Sequence, residues 1–464
     1  MLETATETLT AVRPMLSPMG PDGLYGAQQH LAIEDVSGEV VADLGIVPPV
    51  MVGWAMTSLR KAAPMPVDAR VRAIAQAGAL FAMGTPGGLS IAEHERLVSR
   101  VGGIPAPVVR AATQVLAQRT AQIFASIEHA RPAGAVIDWR HPLTRTGRGV
   151  WARRGNVLSV HAAGNHPGTH TIWPEALAFG YRVAIRPSRR EPFTPFRLVA
   201  ALREAGFGND QVMLLPSEHD AAQAMLRGAD LAYGSDEIIR QYANDPKVLS
   251  LRPGRSKILV TANVDWHAHL DLIVDSISHH GGTGCVNATA VLVEGDPTPL
   301  ARALAERLST LPNLPPEHEH AALPVQPLGA ARTLAKHVEA KAAGARAWLG
   351  GKDLLHDLGD GSAVLRPAVH QLDDPNAEAM GTELPFPCVW VAPWSREDGL
   401  APLRDTLVLT VLTDDASLID ALVEEPTISN VHIGDHPTYW TGTGMPHDGY
   451  LADFLMRAKT VIRG

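Results

Sequence analysis

From Asn156 onward the sequence alternates between short apolar runs and longer amphipathic stretches, and that rhythm constrains the fold more than any other feature. "NVLSVHAA" reads as a buried strand, "HTIWPEALAFG" as a helix closing at Gly180, "YRVAIRP" as a second strand and "PFRLVAALREAGF" as a second helix. "QVMLLP", a helix through "HDAAQAMLRG" and the strand "DLAYGS" continue the series. A second alternating region opens after Lys257 with "KILVTA", a helix over "HAHLDLIVDSIS", the strand "ATAVLVEG" and a helix over "PLARALAERLSTL". Strands follow at "CVWVAPW" and "TLVLTVLT". Strands joined by crossover helices pair in parallel, and a parallel sheet needs both faces covered. The pattern therefore predicts an α/β fold with two such lobes.

Ahead of this region, Val50 to about His129 repeats apolar residues at three- and four-residue spacing, as in "VRAIAQAGALFAM" and "VVRAATQVLAQRTAQIFASI", which predicts helices. Ala135–Arg154 turns to short β-like pieces with Gly and Pro, a small β appendage. The proline-rich "TLPNLPPEHEHAALPVQPLG" reads as a surface loop. A chain of 464 residues is long enough for two or three lobes.

Composition narrows the function. A net charge of −9, with only short basic clusters such as "RTGRGVWARRG" and "RPSRREP", argues against nucleic acid or an anionic membrane as partner. No apolar run is long enough to span a bilayer, and "MLETATETLTAVRPM" begins acidic without an apolar signal core. Two cysteines cannot make a disulfide framework, so a reducing, cytoplasmic setting is expected.

Those two cysteines differ. Cys388 lies in the apolar run "PFPCVWVAPW" and reads as buried and inert. Cys285, in "HHGGTGCVNATAVLV", follows glycines at 281, 282 and 284, a bend that lets backbone approach a ligand closely. The plain reading is a buried apolar thiol; the chemical one is a nucleophile.

Several stretches, in order, resemble the aldehyde dehydrogenase superfamily over most of the chain. "AIEDVSGEVVADLG" resembles the family's N-terminal segment, and "VLSVHAAGNHPG" the strand and turn of its oxyanion-hole asparagine, which would be Asn165. "LAFGYRVAIRPSRREPFTP" resembles the adenosine-ribose motif Lys-Pro-Ser-Glu, here Arg186, Pro187, Ser188 and Arg189. "YGSDEII" resembles the turn that meets the cofactor pyrophosphate, giving Gly234 and Ser235. "GGTGCVNATAVLV" is similar to the cysteine motif, "ELPFPCVWV" to the segment whose glutamate, here Glu383, holds the nicotinamide ribose, and "MPHDGYLADFLMRAKTVIRG" to the closing helix and Lys. The resemblance implies an atypical Rossmann-like cofactor domain (1–132 and 153–260), an α/β catalytic domain (261–432), and a small β oligomerisation element (133–152 with 433–464). It also implies a homodimer or homotetramer.

In that chemistry Cys285 attacks a carbonyl, and the Asn165 amide and the Cys285 backbone N–H donate to the oxyanion. Losing one such donor typically costs about 3–4 kcal/mol of transition-state stabilisation. Asn165 has a plainer reading, a turn-forming residue before His-Pro. Two departures from the family pattern matter more. Hydrolytic members carry Glu-Leu-Gly-Gly-Lys, whose glutamate activates water; here the stretch is "LRPGRSK", with Arg252 read at the place of the base. A guanidinium stays protonated and cannot take that role. The acyl group is then expected to leave to a thiol, so the substrate is an aldehyde or an acyl thioester, with CoA as co-substrate or an acyl carrier protein as partner. The alternatives are a hydrolytic aldehyde dehydrogenase with a substitute base, for which His279 or His280 could serve, and a non-catalytic scaffold of the same fold. The plain reading of those histidines is cationic caps on the helix before them.

The second departure is Arg189, followed by Arg190, where the family has the glutamate that favours NAD. Guanidinium groups pair with phosphate, so NADP is expected ahead of NAD, unless these arginines coat a loop or meet the 3′-phosphate of CoA. Ile239 stands where the family's helix commonly has glycine, which implies altered packing under the pyrophosphate. No metal is expected: His267 and His269 point to different faces of a helix, and "EHEH" lies in a loop.

Overall fold

The computed structural model describes residues 13–464 apart from Asp236 and Arg252, with the Ile238 side chain also left out. The acidic N-terminal stretch up to residue 12 and the Arg252 position thus lie outside the described residues.

Two seven-stranded sheets organise the chain. In the first, β1 (Val157–His161), β2 (Arg182–Arg186), β3 (Val212–Leu214), β4 (Leu231–Gly234) and β5 (Val248–Ser250) run parallel in the order β5-β4-β1-β2-β3. A hairpin of Met19–Gly20 and Gly23–Leu24 adds antiparallel to the β3 edge. β1 is buried at every position because it is central and covered on both faces. The chain steps outward one way from β1 through β2 to β3, then returns to the other side of β1 as β4 and β5. That reversal opens a crevice outside the carboxyl ends of β1 and β4, the usual ligand position in open α/β sheets.

In the second sheet, β6 (Ser256–Val260), β7 (Ala288–Glu294), β8 (Ala368–Gln371), β9 (Cys388–Trp394), β10 (Thr406–Leu412) and β11 (Ile428–Ile433) lie parallel in the order β8-β9-β7-β6-β10-β11. Alternation along these strands feeds two cores. Leu259, Leu292, Trp390 and Leu409 pack on one face, while Ile258, Val260, Val291 and Val391 pack on the other.

β6 belongs to the second sheet, where it pairs with β7 and β10. One expectation is corrected. The proline-rich segment is not loop throughout: Val325–Pro327 pairs with Ser362–Leu365 in a third small sheet. Residues Pro49–His129 form five helices and a short 3-10 turn.

The β appendage is an antiparallel pair, Arg148–Arg153 with Met456–Val461, so the end of the chain returns to the first lobe. Tyr181, itself buried, fastens this return: its hydroxyl donates to the Leu455 carbonyl at 2.6 Å and accepts from the Gly155 N–H at 3.0 Å. Tyr181→Phe orphans both groups and is expected to cost about 1–3 kcal/mol, read as a lower urea or thermal midpoint.

Candidate active site

Asn165 follows the carboxyl end of β1, whereas Cys285 precedes the amino end of β7. The seam between the lobes therefore brings opposite edges of two parallel sheets together. Asn165 Nδ2 donates to the Thr283 carbonyl, two residues before Cys285, at 3.3 Å, which docks the turn of one lobe on the cysteine loop of the other. One amide N–H is engaged there, and the other remains for a second acceptor.

The cysteine loop is held from within by Asn287, a buried residue that sequence reasoning missed. Its side chain accepts from Gly284 N–H at 2.9 Å and donates to the carbonyls of Ser276 (3.2 Å) and His279 (2.9 Å). From outside, Ser256 Oγ donates to the Cys285 carbonyl at 3.0 Å. Gly254 lies closer still: a Cβ there would stand 1.8 Å from the Cys285 carbonyl oxygen. Glu383 completes the contact, its carboxylate accepting from Arg255 N–H at 3.1 Å.

Cys285 is partly exposed and Cys388, in β9, is buried. Burial, with the Glu383 and Asp448 charges in support, pushes the Cys285 thiol up to about 12, against the pull of the Cys285 and Val286 backbone N–H groups. At neutral pH the resting sulfur therefore keeps its proton. Burial alone raises Cys388 well above the ordinary thiol range.

The structure adds a group that the sequence did not single out. His447 Nε2 lies 3.3 Å from Cys285 Sγ. It arrives from 162 positions away, on the segment 434–450 that runs from β11 back to the first lobe. Asn430 Nδ2 holds it by donating to the His447 carbonyl at 2.5 Å and to the Leu407 carbonyl at 2.9 Å. Arg119 donates to Thr441 at 3.1 Å and fixes the same segment to the helix Ala106–Ala121. No local spacing betrays His447; the one hint is a histidine-aspartate pair in "MPHDGY", where no helix pattern requires it.

The reading of His279 and His280 as cationic caps is corrected. They do sit at the end of the helix Leu270–Ser278, but burial lowers His279 to about 4 and lowers His280 as well, so both are neutral. Their rings stack on each other, with Tyr439 over His279 and His166 beside His280.

On the cofactor side, the crevice at the sheet's reversal is lined by Ala162, Ala163, Tyr233, Gly234, Ser235 and Leu251. Gly164 leaves the space that Ser188 occupies, since a Cβ there would meet Ser188 Oγ at 2.2 Å. Arg186 ends β2 and donates to the Ser217 carbonyl at 3.1 Å. Arg189 forms an ion pair with Glu218, while Arg190 is exposed. Ile239 is wholly buried. Among the described residues, no three His, Cys, Asp or Glu side chains are grouped to hold a metal, and no helix is long and apolar enough to cross a membrane.

A thiol set in the seam between a dinucleotide-type sheet and a second parallel sheet defines the class of protein. The aldehyde dehydrogenase family profile matches residues 165–458, and the chain belongs to that family. An aldehyde-dehydrogenase-like protein of Sinorhizobium fredii is 22% identical over 201 residues, 41% of this chain and 39% of its own length. The curated relatives are thus matched over less than half their length. An indole-3-acetaldehyde dehydrogenase of P. syringae, solved in complex with NAD+ and IAA, superposes with a TM-score of 0.80 at 18% identity, covering 96% of this chain and 95% of that one. An NADP-dependent enzyme of E. coli gives 0.79 at 16% identity over 96% and 97%.

Gly254→Ala forces a methyl group against the Cys285 carbonyl. The expected result is a loss of turnover together with about 1–3 kcal/mol of stability, measured by steady-state assay and thermal unfolding of the same sample.

Proposed function

We propose that the protein is an NAD(P)-dependent oxidoreductase that interconverts an acyl thioester and an aldehyde through an acyl-Cys285 intermediate. One observation carries this reading: the place of the water-activating glutamate holds no carboxylate. Counted back from Gly254 as the second glycine of the motif, that place falls on Leu251, one residue before the Arg252 named from sequence. Leu251 lines the crevice beside Tyr233 and Gly234. Neither leucine nor arginine takes a proton from water at neutral pH. The carboxylates whose charge reaches Cys285 are engaged elsewhere, Glu383 by the backbone N–H groups of Gly254 and Arg255, and Asp448 by Ser429 at 2.8 Å.

The crevice is the place for a nicotinamide dinucleotide in this reading: Ala162, Ala163, Gly234 and Ser235 line it beside the larger Trp173 and Tyr233, and Arg190 lies next to Gly164 in the neighbouring turn. When bound, that cofactor supplies the hydride for reduction or takes it in oxidation. Cys285 takes the acyl group from a CoA or carrier-protein thioester, and the departing thiol leaves an acyl-cysteine. Asn165 and the Cys285 N–H steady the oxyanion in this step. After reduction, the thiohemiacetal on Cys285 collapses to aldehyde and frees the sulfur. Glu383 is the ribose-holding residue in this reading. The segments flanking the β appendage carry exposed Ile137, Trp139, Leu143 and Ile462, apolar surface suited to a second copy of the chain.

A second reading is favoured by the His447 contact. An imidazole beside the sulfur is also competent to take a proton from water, which would make the enzyme a hydrolytic aldehyde dehydrogenase.

The deciding experiment mixes protein and NADPH with a panel of acyl-CoAs and follows nicotinamide absorbance, with free aldehydes and NADP+ assayed in parallel. Thioester-dependent oxidation of NADPH is expected. Acid formation from aldehydes, with every thioester inert, overturns the proposal in favour of hydrolysis. For the cofactor, Arg190→Ala is expected to raise KM for NADPH roughly ten- to hundredfold while leaving that for NADH near its starting value, since a charge-assisted contact contributes about 1.5–3 kcal/mol. Equal effects on both cofactors would place Arg190 outside the phosphate site.

A further inference from the structure

The Cys285 loop and the 434–450 segment come from distant parts of the chain, yet they place His447 Nε2 within 3.3 Å of Sγ. The rest of the imidazole is informative. His447 Nδ1 is buried and has no hydrogen-bond partner among the described residues. When Nε2 accepts the thiol proton's hydrogen bond, Nδ1 carries the ring hydrogen, and a buried orphan donor costs about 1–3 kcal/mol. A merely structural histidine would be expected to satisfy that nitrogen. Instead the residue's backbone is secured by Asn430 while the ring is committed to the sulfur alone.

We propose that His447 is a catalytic residue, the proton partner of Cys285: it takes the thiol proton as sulfur attacks and returns it to the departing group. This rests on the reading of Cys285 as the acyl-carrying nucleophile. The step balances. The Sγ–H proton moves to Nε2 as the Sγ–C bond forms; the carbon–sulfur bond of the thioester breaks, and the leaving thiolate takes the proton from the imidazolium. In the oxidative direction the same proton returns along the same path. A neutral resting pair suits a buried seam, because charge appears only when the substrate carbonyl arrives to share it.

The groups around the ring agree. Burial is the largest influence on His447 and lowers its pKa; the neighbouring Asp448 opposes this, and Arg119 reinforces it. Glu383 and Asp448 act on the sulfur, and the buried Tyr233 hydroxyl, also without a partner among the described residues, lies within reach of the Cys285 charge. His447 is therefore neutral and able to accept a proton at neutral pH, and it loses that ability as pH falls through its lowered pKa.

The test is alkylation of Cys285 by iodoacetamide, followed by mass spectrometry across pH, alongside NADPH oxidation by acyl-CoA. With His447 as base, the wild-type rate is level around neutral pH and falls on the acid side. In His447→Gln the rate instead climbs tenfold per pH unit, as a thiol ionising alone requires, and kcat/KM falls by about 10²–10⁴-fold. NADPH binding, read by fluorescence, stays unchanged and reports that the variant is folded. A wild-type rate that already climbs tenfold per unit from acid to alkaline pH overturns the proposal without any variant. So do superimposable wild-type and His447→Gln profiles. Altered alkylation in the variant with every thioester inert in the wild type keeps the pair and rejects the acyl-transfer reading.

Discussion

The sulfur of Cys285 lies in a poorly hydrated seam within reach of two carboxylate charges, and the local architecture answers to that placement. Such surroundings hold the thiol in its protonated form. They also make every dipole aimed at a developing anion more effective than it would be in water. The Cys285 and Val286 N–H groups and the His447 ring lie around the sulfur, while the Asn165 amide holds the same loop at the Thr283 carbonyl. Asn287, Ser256 and Gly254 carry no reacting group, yet they fix the loop so that these donors keep their aim.

Two sheets meet here by opposite edges. β1 and β4 present carboxyl ends, where a parallel sheet leaves its crevice, and β7 presents its amino end. The crevice of the first lobe thus faces the cysteine loop supplied by the second. Gly254 and Ser256 lie where the chain crosses from one sheet to the other, and the same short stretch touches both the cysteine carbonyl and the Glu383 carboxylate.

Much of this was legible in the sequence. The alternation of apolar runs and amphipathic stretches marked the central strands, because those strands are buried on both faces and read as continuous β-branched apolar runs. The glycines ahead of Cys285 marked the loop, and Asn165 falls beside it in the folded chain. Short strands such as Arg346–Leu349, Leu355–Asp357 and Ser362–Leu365 escaped, since each is only three or four residues long, too short to show an alternating pattern. His447 escaped for a different reason. Its partner is 162 positions away, and only tertiary contact makes the pair. The charge state of His279 escaped likewise, because composition carries no burial.

The late position of His447 has a consequence in time. A chain made from its N-terminus completes the cysteine loop long before residue 447 exists, and the strand Met456–Val461 that returns the chain to the first lobe comes later still. Until those residues leave the ribosome, Cys285 stands without its neighbouring imidazole and without the segment that carries it. The surroundings of Cys285 are therefore assembled in two stages, the loop first and the segment carrying His447 after it.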